Sequence, residues 1–311
     1  MNDQKKTENM PVEKVLPIPI ETSAPASPDS KWRQMAILGL VLFLLLCGIY
    51  APVVPGLLFD WMNDPNYSHG FLVPLFSGFL VWQNREQLRK LPVQGNWFGF
   101  VLLCAGIGAL ILGDLGAEEF LTRSSLIGIL AGLILFHLGV PLLRALLFPL
   151  GYLLFMVPLP AIIFNAVAFP LQGLAARNAT FVLDVLGVPV LRDGNVIHLS
   201  EISLGVTEAC SGIRSLVSLV ALAVAWAYLT LPAQWPRVLL VVSAIPITIV
   251  ANAGRVVVTG LIGQWFGVKY AQGVFHSFSG WVIFIVAFAG LLGVHTLLQR
   301  VVASKEVTNG E

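Results

Sequence analysis

A cysteine, an arginine and a histidine stand out because each interrupts or borders an apolar stretch, where a polar side chain is expensive. Cys210 lies in TEACSGIRS, just ahead of a hydrophobic run, whereas Cys47 and Cys104 lie inside such runs and are expected to be small buried packing residues. A thiol at the N-terminal end of a helix feels the positive end of the helix dipole, which favours the nucleophilic thiolate. An ordinary interfacial cysteine is the competing reading. Arg255 sits in IPITIVANAGRVVVTGLIG, about five to seven residues from one end of the run, or roughly 10 Å deep at about 1.5 Å per residue. A guanidinium at that depth either faces a cavity or a partner, or snorkels to the headgroups. His276, in GVFHSFSGW, opens the last apolar run and can exchange a proton near neutral pH. Together the three supply a nucleophile, an oxyanion stabiliser and an acid/base.

The elements that must hold these side chains are membrane helices. Of 311 residues, 57% are hydrophobic and 11% charged, against about 25% charged in a soluble domain. The first 33 residues hold five basic and five acidic side chains and the last 12 hold four more charges, which leaves 21 for residues 34–299. Apolar segments at roughly 34–55, 69–83, 97–113, 124–140, 144–163, 213–231, 238–262 and 277–299 match the ~20 residues that cross a bilayer. The expected fold class is an all-α polytopic membrane protein of about eight transmembrane helices, with the lipid bilayer as its surroundings. Residues 1–33 read as a disordered tail, 34–299 as the transmembrane domain and 300–311 as a C-terminal tail. With 18 basic and 17 acidic residues there is no polybasic surface, so no nucleic acid partner is expected, and three cysteines do not make a disulfide framework.

Basic residues near span ends set orientation. Lys31, Arg33, Arg85, Arg89, Lys90, Arg144, Arg237, Arg300 and Lys305 fall on one side if eight spans are right, and Asp60, Asp64, Asp114, Glu118 and Glu119 fall on the other. Both termini are therefore expected in the cytoplasm, and residues 164–212 on the outer face. There, Leu171, Leu174, Phe181, Val182 and Val185 follow helical spacing, with Gln172, Thr180 and Asp184 on another face. This suits a helix lying in the interface, or else another membrane-buried helix. The β-branched runs around Asp193-Gly194 predict a hairpin next.

Weaker signals surround the three main residues. Arg214, four residues after Cys210, could face the thiolate or cap the interface, and Glu208 could orient a basic partner or complement the helix dipole. His69 could line the same outer pocket or simply pack, and Asn252 could bond across helices. His137, His198 and His295 share no spacing, no H-E-x-x-H string occurs, and neither a metal nor a cofactor is expected.

The strings ACSGIRS, NAGR and HSFSG resemble the three signature blocks of the exosortase/archaeosortase family of membrane-embedded cysteine transpeptidases, and YSHGFLVP at 67–74 extends the likeness. The resemblance implies a protease/transpeptidase of the bacterial inner membrane, active on its outer face. Its partners would be C-terminal sorting signals of exported proteins: a Pro-Glu-Pro-like motif, a transmembrane helix and a basic tail. Cys210 would be the nucleophile, Arg255 the catalytic arginine and His276 the third member, the histidine pointing to the bacterial branch. The acyl acceptor would be water or an amine. A multi-span transporter and a non-catalytic scaffold for exopolysaccharide assembly are the alternatives, although no internal repeat relates residues 34–160 to 161–299.

Overall fold

The computed structural model describes residues 28–200, 202–206, 212–267 and 274–309. The chain divides into two units, Met1–Ala51 and Pro52–Glu311. The first contributes α1 (Pro28–Tyr50), which begins inside the stretch expected to be a tail. The second contains α2 (Val53–Asn63), α3 (Leu72–Gln83), α4 (Arg85–Lys90), α5 (Phe98–Leu115), α6 (Glu119–His137), α7 (Val140–Tyr152) and α8 (Ala161–Val185). Three short strands follow, β1 (Val190–Asp193), β2 (Val196–Leu199) and β3 (Ser203–Gly205), and then α9 (Ile213–Thr230), α10 (Gln234–Phe266) and α11 (Val274–Asn309). The protein is an all-α polytopic membrane protein, 81% helical.

Five helices, α5, α6, α9, α10 and the Phe278–Ser304 part of α11, are individually long and apolar enough to cross a membrane, and the number rises to seven if each of two broken helix pairs is one span. The eight expected spans are not reached by this count. The difference lies at residues 69–83, where α3 starts only at Leu72 and has 12 residues. At about 1.5 Å per residue it is roughly 18 Å long, short of a ~30 Å hydrocarbon layer. His69 belongs instead to a 3-10 turn, Ser68–Phe71, ahead of α3.

Prolines punctuate the middle of the chain. Val157-Pro158-Leu159-Pro160 ends one helical stretch, because proline donates no hydrogen bond and biases the residue before it to extended backbone, and α8 leaves at 76° to the preceding stretch. The buried face of α8 is Ala168, Gln172, Ala175, Ala176, Ala179 and Leu183, while Phe169, Phe181 and Val185 point away from the protein. The large apolar side chains thus face the surroundings, and alanines let α8 press against its neighbours.

The hairpin forms as expected, with its turn at Gly194-Asn195 and Gly194 at φ +60°. β3 adds an antiparallel third strand that the pattern did not announce. Asn195 fastens this sheet, its amide donating to the Gln172 side chain on α8 and to the Val206 carbonyl. Ile197, Leu199, Ile202 and Val206 bury themselves against Ala176 and Leu183 of α8 and Val256 and Val257 of α10. The sheet is thereby fixed against α8 and α10.

Alanine-rich seams join α9, α10 and α11, where Ala223, Ala227, Ala244, Ala251 and Ala287 pack with Leu219, Leu240 and Leu291. α5 and α6 are held closer still. Gly99, Gly106 and Gly113, one every seven residues, lie against Phe136, Ile129 and Thr122, so close that a Cβ at Gly106 would sit 2.8 Å from Ile129 Cγ1 and 2.9 Å from its backbone nitrogen. Without a hydrophobic driving force between helices in lipid, such backbone approach supplies the packing that holds the pair. Cys47 and Cys104 are exposed on their helices, not buried as expected. The surface of a membrane protein is as apolar as its core, so an apolar setting in sequence does not separate the two.

Candidate active site

The ends of three elements and one loop converge on a cavity of about 420 Å³. α9 contributes Arg214, Ser215 and Ser218, α10 contributes Arg255, α11 contributes Gly280 with Trp281 and Phe284, and the 64–68 loop contributes Pro65 and Ser68. α10 runs on to Phe266, which puts Arg255 eleven residues, or about 16 Å at ~1.5 Å per residue, from its C-terminal end. Arg255 is not left to snorkel: its Nε donates to Ser279 Oγ at 3.1 Å, and its Nη2 lies near Gly280. The HSFSG string is thereby tied to the NAGR string by one side-chain hydrogen bond.

Gly212 immediately precedes α9. It caps the helix at φ +79°, a region that favours glycine, and an added Cβ would meet Asn252 Cγ at 3.0 Å. Both the backbone conformation and the approach of α10 therefore demand glycine here. Asn252 is buried under this turn, three residues before Arg255. It lies against Gly212 rather than on the main cavity wall.

Arg214 is steadied from the loop. Its Nε donates to Asn66 Oδ1 at 3.2 Å, and Asn66 is itself held by its backbone N–H on Asp64 Oδ1 at 2.8 Å. His69 stands behind the wall, Nδ1 at 3.3 Å from Ser218 Oγ and Nε2 at 3.1 Å from the Phe155 carbonyl. Burial lowers its pKa below the usual 6.5, against the opposing pull of the Phe155 and Asn66 backbone groups. Among the described residues no carboxylate lines the cavity.

Of the residues singled out in the sequence, Arg214 and Arg255 thus share one cavity, His69 reaches it through Ser218, and Asn252 supports it from below. Cys210 and Glu208 lie outside the described residues. His276 falls in the first turn of α11, four residues before Gly280, and its side chain lies outside the described residues.

A family model described as transmembrane exosortase matches residues 61–293, three quarters of the chain and all of the cavity wall. The chain belongs to the exosortase family. No curated protein and no solved structure matches it. Membership carries a membrane transpeptidase role in general, and the cavity in this exosortase is lined by two arginines and three serine hydroxyls, groups that can hold a peptide and a developing negative charge.

Sequence reasoning missed several residues of this exosortase. Ser215 and Ser218 follow Arg214 at one- and four-residue spacing, a polar stripe on an otherwise apolar helix that could have been read. Arg123 is buried to 5% exposure within α6. It pairs with Asp60 of α2 at 2.6 Å and with Glu119 at 2.8 Å. The Glu119 pair is an i,i+4 spacing visible in sequence, whereas Asp60 is 63 residues away and announces nothing.

Proposed function

We propose that this exosortase cleaves C-terminal sorting signals of exported proteins through a thioester on Cys210. The observation that carries the reading is the cavity itself: Arg255 on its wall, Gly212 two residues after Cys210, and Gly280 four residues, about one helical turn, after His276. Arg255, the residue two after Cys210 and the residue four after His276 thus line one cavity, which supports assigning the three to one site. Trp281 lines the cavity and is also exposed on the bundle surface, so a substrate's transmembrane helix can approach from the bilayer while its motif enters.

The reaction proceeds in two steps. Cys210 gives its proton to His276 and the thiolate attacks the backbone carbonyl carbon at the motif, forming a C–S bond. The carbonyl oxygen takes up the electron pair, and the Arg255 guanidinium, aimed by Ser279, holds that oxyanion. On collapse the C–N bond breaks, His276 returns the proton to the departing amine, and the acyl group remains on Cys210 as a thioester. Water or an amine then attacks the thioester and releases the product, with the proton passing back through His276 to the thiolate. Asn252 supports the turn after Cys210, and Glu208 orients a basic neighbour.

The working unit is residues 34–299, with tails at 1–33 and 300–311 in the cytoplasm and the active site on the outer face of the bacterial inner membrane, an arrangement that needs an even number of crossings and so counts the twelve-residue α3 as one beside the five long helices and the two broken pairs. Arg85, Arg89 and Lys90 between α3 and α5, with Arg237 at the start of α10, support this orientation. The test is a reporter ending in a Pro-Glu-Pro motif, a hydrophobic helix and an Arg-rich tail, expressed with the enzyme. Cys210→Ala is expected to abolish its processing while the protein remains in the membrane; unchanged processing would refute the thioester.

A further inference from the structure

We propose that Arg214 is a specificity-determining residue that binds the carboxylate of an acidic side chain in the substrate peptide, a role that rests on the cavity being the site of peptide cleavage. Arg214 lies on the cavity wall, half-buried at the start of α9, where the helix dipole adds to its positive charge. Its Nε is already committed to Asn66 Oδ1, and that bond fixes the plane of the guanidinium. The Nη1–Nη2 edge is left for a second partner, and an edge of two parallel N–H groups matches the two oxygens of a carboxylate.

Among the described residues, the two carboxylates that precede Asn66 do not serve as that partner. Asp60 is bonded to Arg123, and Asp64 accepts the Asn66 N–H. Arg255 lies on the same cavity wall, with its Nε donating to Ser279 Oγ. The hydroxyls of Ser215 and Ser68 on the same wall can donate to a carboxylate oxygen as well. The motif would thus be gripped by its acidic residue at Arg214 while its scissile carbonyl lies at Arg255.

A double-mutant cycle with purified enzyme in lipid vesicles tests this, using reporters with Pro-Glu-Pro or Pro-Gln-Pro ahead of the helix. The wild type is expected to cleave the Glu reporter roughly 10- to 100-fold better in kcat/KM, mainly through KM, the range for a charge-assisted contact. Arg214→Gln should lose that factor on the Glu reporter, and the two changes together should lose no more than either alone. Arg214→Glu with a Pro-Lys-Pro reporter should recover part of the loss. Multiplicative losses, or a fall in kcat equal for both reporters, would overturn the proposal and assign Arg214 to the thiol. Cys210→Ala run alongside keeps the two ideas apart: an active Cys210→Ala enzyme defeats the thioester reading whatever Arg214 does. An inactive one with multiplicative losses defeats only the role of Arg214. A wild type that cleaves neither reporter defeats both.

Discussion

Arg255 can stabilise an oxyanion only if its guanidinium keeps one direction, and Ser279 Oγ on α11 is the group that receives its Nε–H. Ser279→Ala is expected to lower kcat by about tenfold with little change in KM, and Ser279→Thr to retain most activity, since the hydroxyl remains. An equal fall for Ala and Thr would show that packing, not the hydrogen bond, matters. His69 gives a pH signature. Its folded pKa lies below 6.5, so the folded state binds fewer protons than the unfolded one. The stability this provides is full above pH 6.5 and is lost as pH falls through the lower folded value. Thermal unfolding in detergent between pH 7.5 and 5 should therefore show an acid-side loss in the wild type that is smaller in His69→Gln. At Gly212, alanine would have to adopt φ +79° and press on Asn252, so Gly212→Ala should impair processing more than Gly205→Ala, whose Cβ meets nothing.

At the scale of elements, two devices hold the parts that the cavity depends on. The seven-residue glycine stripe of α5 brings that helix into backbone contact with α6. Gly106→Leu should lower the unfolding temperature in detergent far more than Gly108→Leu, because position 108 opens on empty space. Comparable losses at the two positions would contradict close packing as the cause. α6 in turn anchors α2 through the buried Arg123 and its pair with Asp60. The loop leaving α2 carries Asn66 and Ser68 to the cavity, so the ion pair is a strut for Arg214. Arg123→Met should strand the Asp60 charge and destabilise the protein markedly. Glu119→Gln, which alters a well-exposed partner, should have a small effect.

For the molecule as a whole, some features could be read directly and others could not, for physical reasons. Membrane class followed from the shortage of charge, and Arg255 from its cost inside an apolar run. The hairpin followed from Asp193-Gly194 between β-branched runs, whereas nothing in the sequence named Ser279 as the partner of Arg255. The exposure of Cys47 and Cys104 was illegible because lipid-facing and core-facing positions are equally apolar. The Arg123–Asp60 pair was illegible because it joins helices distant in sequence. The twelve-residue α3 was hidden by a 3-10 turn that keeps the hydrophobic run unbroken. What unites these parts is a cavity lined by Gly212, Arg214 and Arg255, with Gly212 two residues after the proposed nucleophile Cys210 in sequence. Mass spectrometry of the enzyme quenched in acid during turnover of the Pro-Glu-Pro reporter tests that most directly. The account predicts an acyl adduct on Cys210 that hydroxylamine removes; cleavage of the reporter with no adduct, or with the adduct on another residue, would contradict it.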